Sequence, residues 1–479
     1  MGTASTMTSP TAIALFTRDL RIHDNPTLQG AIDSAEQVLP VFILDDAILG
    51  SPYLAPNRTS FLIDALSDLD ESLKQRGADG LVVRRGDTAR EIATLADEVG
   101  ARTVHVSGDW SAYAQHRQHR LEKLLAERDR ELVVHSETLV VVPPGTVAPT
   151  DKDHFAVFTA YHHRWADHPR RPVLAPPWLA SPRVHQDRIP AAETLCPGDR
   201  ARHLPAGGER AGRRRMQAWL RSSVTAYADH HDDLAGDDTS RMSPYLHFGC
   251  LSPLELVARA GRSPGAQAFV RQLAWRDFNL QLLAARPEVA SEDLRDRGDR
   301  WRRDPDDLAA WQDGRTGYPI VDAAMRQLMQ EGWMHNRGRL IVGSFLTKTL
   351  YLDWRAGARH FLHHLVDGDI ANNQLNWQWV AGTGTDTRPS RVLNPLRQAE
   401  RYDSDGAYVH RYVPELANID GPAVHTPWRL PDDVRKGSTT RIRSSISTRA
   451  GGGSSTPERR QRDKRSRAGS RCARPAMTK

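Results

Sequence analysis

The chain runs to 479 residues with 26% charged side chains, a formal net charge of +6 and a pI near 9.3. That length outgrows one compact core, so two or three domains are expected. Its apolar runs are too short to span a membrane, the start MGTASTMTSP lacks a secretory signal's basic and apolar regions, and Cys196, Cys250 and Cys472 show no CxxC spacing, which together predict a cytoplasmic protein with neither a disulfide framework nor a zinc site.

The basicity does not predict nucleic-acid binding, because it is concentrated at one end. Residues 438–479 hold 10 Arg and 2 Lys against Glu458 and Asp463, a net of +10 that leaves −4 for the rest of the chain. Residues 1–150 carry −7 and residues 151–437 about +3.

In chain order, short β-branched runs at 13–16, 38–44, 81–83, 103–106 and 132–135 read as buried parallel strands. Helical spacing separates them at 57–75 and 88–99, with Leu62, Leu66, Leu69 and Leu73 along one face. Strands alternating with helices predict an open parallel α/β sheet over 10–137. No GxGxxG follows the first strand, so residues 17–24 and 108–113, beyond the strands' carboxyl ends, become the candidate ligand positions. Residues 138–208 are Pro-rich and weakly periodic, a long connector with a short helix near 156–165. Residues 209–437 turn helical, for example at 266–285, at 321–330 and after Pro253. The tail, 438–479, is Arg-, Ser- and Gly-rich and is expected to be disordered. It reads either as the product of a frameshift near Gly437 or as a basic tail that clings to nucleic acid.

Chemistry concentrates between residues 332 and 386. Trp333, Trp354, Trp377 and Trp379 alternate there with Asn336, Arg337, Asp367, Asp369, Asn372 and Asn373. Tryptophan is used sparingly in ordinary cores because its N–H needs a partner. Large π-faces beside fixed hydrogen-bonding groups suit a flat, polar-edged guest: a flavin, a nucleobase, or both.

In order along the chain, the motifs LFTRDLRIHDNPTL, DDTSRMSPYLHFGCLSP, QLAWRDF, TGYPIVDAAMRQLMQEGWMHNR, DGDIANNQLNWQW and TGTD resemble the photolyase/cryptochrome family, most closely class I cyclobutane pyrimidine dimer photolyases. The resemblance covers about residues 13–428. It implies an N-terminal α/β antenna domain, a connector and a helical FAD-binding domain. The implied activity is light-driven electron transfer from reduced FAD to cyclobutane dimers in DNA, by a monomer.

By the same resemblance, Tyr227, Thr239, Ser240, Arg241, Met242, Ser243, Trp275 and Arg276 hold FAD. Read alone, Thr239–Ser243 is an N-cap motif with an incidental Arg. Asn373 corresponds to the residue facing flavin N5, Arg339 and Asp367 to an ion pair over the ring, and Asp369 to a group on its pyrimidine edge. Trp377, Trp354 and Trp301 match tryptophans that carry an electron from the surface to oxidised flavin, whereas periodicity reads each as core. Trp311 and Trp333 are expected as core. Trp275 and Trp379 match the aromatics around a flipped-out lesion, with Asn336, Arg337 and Arg391 near the lesion or its phosphates.

Two positions depart from the pattern. Gln272 stands where the family has a dimer-binding Glu, and Leu340 where it has a Met. Gln occurs there in (6-4) photolyases, but Asn336 and Leu340 leave both of their catalytic histidine positions vacant. Reduced efficiency on cyclobutane dimers is expected, and a cryptochrome-like light sensor is the alternative. Residues 108–114 resemble a deazaflavin antenna stretch more than a methenyltetrahydrofolate one. The histidine pairs at 162–163, 230–231 and 363–364 lack metal-ligand spacing.

Overall fold

The structure is a computed structural model that describes residues 10–185, 187–236 and 238–431. The expected basic tail and its frameshift alternative lie outside the described residues.

Five strands form: β1 (Thr11–Phe16), β2 (Gln37–Asp45), β3 (Val82–Gly86), β4 (Thr103–Ser107) and β5 (Glu131–His135). All pair in parallel in the order β3-β2-β1-β4-β5, with Ile13 opposite both Leu39 and Val104. Central β1 is buried along its whole length. Its side chains alternate between two cores. Ile13 and Leu15 meet Ile92, Leu95 and Leu121 on one face; Ala12, Ala14 and Phe16 meet Leu28, Phe61 and Leu66 on the other. This two-sided burial is why β1, β2 and β4 read as continuous apolar runs, whereas β5, expected as a buried strand, is an edge strand with no buried residue.

Local chemistry sets the flanking helices. Asp87 caps Thr88–Val99 by accepting from Arg90 N, and Gly100, at φ +64°, ends it. Pro56–Lys74 starts on a proline and buries Leu66, Leu69 and Leu73 as expected, with Leu62 half-buried. After β3 the chain returns to the other side of β1, so a crevice opens beyond β1 and β4. There Thr17 Oγ1 and Ser107 Oγ are 3.0 Å apart.

The connector contributes the helix Phe158–Asp167. It is fastened by Asp277 of the long helix Pro264–Ala285, whose Oδ2 accepts from Val141 N (2.9 Å), Val142 N (3.1 Å) and Trp165 Nε1 (2.9 Å). Burial nevertheless pushes this carboxyl up to about 6.

The remaining helices form one bundle. Pro264–Ala285, Asn336–Ser344, Trp354–His364 and Ile370–Ala381 surround its cleft. Gly357 lets two of them close up: a Cβ there would lie 2.3 Å from Trp377 Cη2. A π-helical turn, Phe345–Thr349, follows Asn336–Ser344, a local feature that periodicity did not predict. No helix among the described residues is long and apolar enough to cross a membrane.

Candidate cofactor cleft and a second cavity

Helical spacing brings the expected residues to one place. From Asn336–Ser344 come Asn336, Arg339, Leu340 and Gly343; from Ile370–Ala381 come Asn372, Asn373, Asn376, Trp377 and Val380. They line a lobe of about 210 Å³ that shares Trp333, Arg339 and Asp367 with a second lobe of about 390 Å³. Tyr227, Thr239–Ser243, Gln272, Trp275, Arg276, Asp369 and Trp379 complete the second lobe.

Arg339 Nη2 donates to Asp367 Oδ2 at 2.7 Å, and its Nε to the Met334 carbonyl at 2.9 Å. Asp367 Oδ1 and Trp377 Nε1, both on the cleft wall, are buried without a partner. Buried polar groups rarely remain unsatisfied, and a guest with complementary donors and acceptors would satisfy both. The Asn373 amide nitrogen donates to the Ala358 carbonyl (3.1 Å) and Gln374 Oε1 (2.9 Å), so its oxygen is left for such a guest. An isoalloxazine, flat and rimmed by polar atoms, fits this donor set.

The other lobe is braced by expected residues together with Arg215, Glu331 and Phe158, which sequence reasoning missed. Arg215 donates to the carbonyls of Ser240 (2.9 Å) and Thr239 (3.1 Å). Arg241 sits at φ +49°, pairs with Glu331 at 2.8 Å and lies 4.4 Å over the Trp333 ring. Trp333, expected as core, is buried but forms wall in both lobes and donates to Ser243 Oγ at 3.1 Å. Burial raises the Tyr227 hydroxyl to about 12, so it stays a neutral donor. Phe158 of the connector stacks on Trp275 at 3.7 Å and 6°. Arg215 and Phe158 lie outside every motif, which is why they carried no signal of their own.

Other expected residues sit at the rim of the cleft or outside it. Arg337 is turned aside, bonded to Asp232 and lying 4.4 Å from the Tyr402 ring. Arg391 lies 5.4 Å over the Trp379 ring at the rim. Gln272 is exposed. Trp354 is fully buried and donates to Asp293 at 2.8 Å, while half-buried Trp301 contacts Tyr351 at 5.0 Å. Trp311, expected as core, is core, yet it also meets Trp377 edge-on at 6.0 Å.

A second cavity of about 330 Å³ opens at the crevice beyond β1 and β4, where the strand order placed a ligand site. Phe42, Ile48 and Leu283 make its apolar wall; Asp45, Tyr113 and Arg117 supply polar groups. Asp45 accepts from Tyr113 OH and from Thr88 Oγ1. Arg18 Nη1 donates to Asp109 Oδ2 at 3.1 Å and its Nη2 to Asp369 Oδ2 at 2.5 Å. Asp369 lines both cavities, and Arg18 beside it holds its carboxyl well below the usual range despite burial.

Residues 12–178 match the family model described as DNA photolyase, and residues 269–448 that of the FAD binding domain of DNA photolyase. The chain is 54% identical over 434 residues to a deoxyribodipyrimidine photo-lyase of Streptomyces griseus, covering 89% of this chain and 94% of that protein. Among solved structures it resembles a class III photolyase from Agrobacterium tumefaciens (TM-score 0.84, 30% identity, 94% and 98% of the two chains). It also resembles an archaeal photolyase from Sulfolobus tokodaii with two FAD molecules (TM-score 0.79, 29% identity, 89% and 99%).

Proposed function

We propose, on the premise that the chain belongs to the DNA photolyase family, that it repairs cyclobutane pyrimidine dimers in DNA, working as a monomer. FAD, held by the cleft residues around Arg339, Asp367 and Asn373, would supply in its reduced, light-excited form the electron needed to split the cyclobutane ring and would recover it afterwards. The observation that carries this reading is the cleft itself: tryptophan and amide walls around the Arg339–Asp367 pair, with Asp367 Oδ1 and Trp377 Nε1 unsatisfied.

Each residue then has a task. Arg339 and Asp367 orient the ring system, and Asn373 offers a neutral amide oxygen that cannot donate a proton, which favours repair over signalling. Thr239, Ser240, Arg241, Met242, Ser243, Tyr227 and Arg276 hold the remainder of the cofactor. Trp275 and Trp379 take a base extruded from the duplex between aromatic faces, repaying its lost stacking. Asn336, Gln272 and Leu340 border that space. Gln272 offers both a donor and an acceptor to a pyrimidine edge, without the charge of a carboxylate. Trp377, Trp354 and Trp301 pass electrons inward, the last reaching solvent.

The second cavity holds the antenna in this reading, with a deazaflavin favoured over a folate. The carboxylates Asp45 and Asp109 on its walls disfavour an acidic folate tail. The Sulfolobus relative, with its two FAD molecules, supports a flavin-like guest.

The test illuminates reduced protein with dimer-containing single-stranded DNA and follows recovery of thymine absorbance. Recovery is expected. Its absence from flavin-loaded, photoreducible protein would leave the cryptochrome-like sensor as the better reading.

A further inference from the structure

We infer that Asp109, which has no surface on the flavin cleft, tunes that cleft through Arg18 and Asp369. The inference rests on flavin binding in the cleft, the same premise as the proposed function.

Arg18 leaves the carboxyl end of β1 and ties three segments together. Its Nη1 donates to Asp109 Oδ2 (3.1 Å), its Nη2 to Asp369 Oδ2 (2.5 Å) and its Nε to the His247 carbonyl (3.3 Å). Asp109 follows β4 and lines the second cavity; His247 lines the flavin cleft; Asp369 lines both. Arg18 therefore bridges two carboxylates in a buried wall, with Arg117 also acting on Asp109 and Arg276 on Asp369.

The wall is built to keep this arrangement. Asp109 Oδ1 accepts from Ser111 N at 3.0 Å, which fixes the carboxylate on its loop. Tyr53 donates to the Gly368 carbonyl at 2.7 Å and approaches His247 Nε2 at 3.4 Å. Asp369 caps Ile370–Ala381 by accepting from Asn372 N at 2.8 Å, so the helix carrying Asn373 and Trp377 is anchored to the same pair.

Charge in such a wall is weakly screened. Neutralising Asp109 turns the whole of Arg18 toward Asp369 and removes one negative charge from the cleft's surroundings. Reduction adds negative charge to a flavin, so its midpoint potential must rise. Removing Arg18 has the opposite sign. A guest that hydrogen-bonds Asp109 from the second cavity is then registered at the flavin by the same route.

The test titrates the flavin midpoint potential in the full FAD-loaded chain and measures FAD affinity by fluorescence. Asp109→Asn is expected to raise the potential with FAD affinity unchanged, Arg18→Gln to lower it, and Asp109→Glu to restore the native value. An unchanged or lowered potential in Asp109→Asn overturns the inference, as does an equal rise in Asp109→Glu, which would mark a packing effect. If Arg18→Gln fails to fold, the two Asp109 variants decide alone. Repair assayed on the same samples separates the two readings: the expected shifts without any repair sustain this inference and remove the repair function, whereas repair without shifts does the reverse.

Discussion

Phe158 and Trp275 lie face to face, 3.7 Å between ring centroids and 6° between planes, one on the connector and the other on the cleft. The connector thus holds one wall of the cleft's larger lobe in place. Phe158→Ala frees Trp275 while leaving the FAD contacts intact. Affinity for dimer-containing DNA is expected to fall about tenfold, on the order of 1.4 kcal/mol, with FAD fluorescence unchanged. Filter binding with damaged and undamaged oligonucleotides checks this; an equal loss for both would tie Phe158 to general DNA contact.

Trp377 lines the cleft with its Nε1 buried and unsatisfied, and Trp311 and Phe361 (5.0 Å) contact its ring. Trp377→Phe is expected to abolish photoreduction of oxidised flavin yet spare repair by chemically reduced protein. Absorbance under blue light, followed by a repair assay after dithionite, separates the two steps.

Gly357 has no room for a methyl group beside Trp377. Gly357→Ala forces the ring or the helix to shift, and a loss of about 1–3 kcal/mol is expected, read as a lowered Tm. Trp377→Phe/Gly357→Ala should recover part of it if that contact is the cause.

His335 caps Asn336–Ser344 by accepting at Nδ1 from Arg337 N (3.1 Å), so the cap needs a neutral ring. Burial holds its pKa down at about 4, below the ordinary 6.5. The unfolded chain therefore binds the proton first. This stability contribution is complete above pH 6.5 and is lost as pH falls toward 4, by up to about 3 kcal/mol. His335→Asn keeps a capping acceptor and should flatten urea-unfolding stability across that window; an unchanged slope would assign the dependence to other groups.

Gln272 sits exposed on the cleft's larger lobe. Gln272→Glu is expected to raise the repair yield on cyclobutane dimers with FAD binding unaltered, measured as dimers split per photon absorbed.

The α/β half was legible because two-sided burial writes itself into the chain: β1, β2 and β4 each begin and end within two residues of an apolar run, whereas β3 runs three residues past its own. Cleft residues were legible where helical spacing and motif coincide, as for Asn336, Arg339 and Leu340. What stayed hidden was contact between distant segments. Arg18 reaches Asp369 across 351 positions and Arg337 is turned aside by Asp232 across 105. Neither pairing leaves a local pattern, because an ion pair needs only one residue on each side. Phe158 was hidden for the same reason.

Asp277 receives three donors from the connector and sits where an ionised carboxyl is costly. Dissecting the protein at the connector would therefore yield no tidy module: the helical half, expressed alone, would carry an acidic group in an apolar scar with its three hydrogen-bond donors gone and only Arg276, 3.7 Å away, beside it. The segment that looks most like a linker is part of the catalytic half's interior, and any shortened or fused version has to keep residues 141–165 with it.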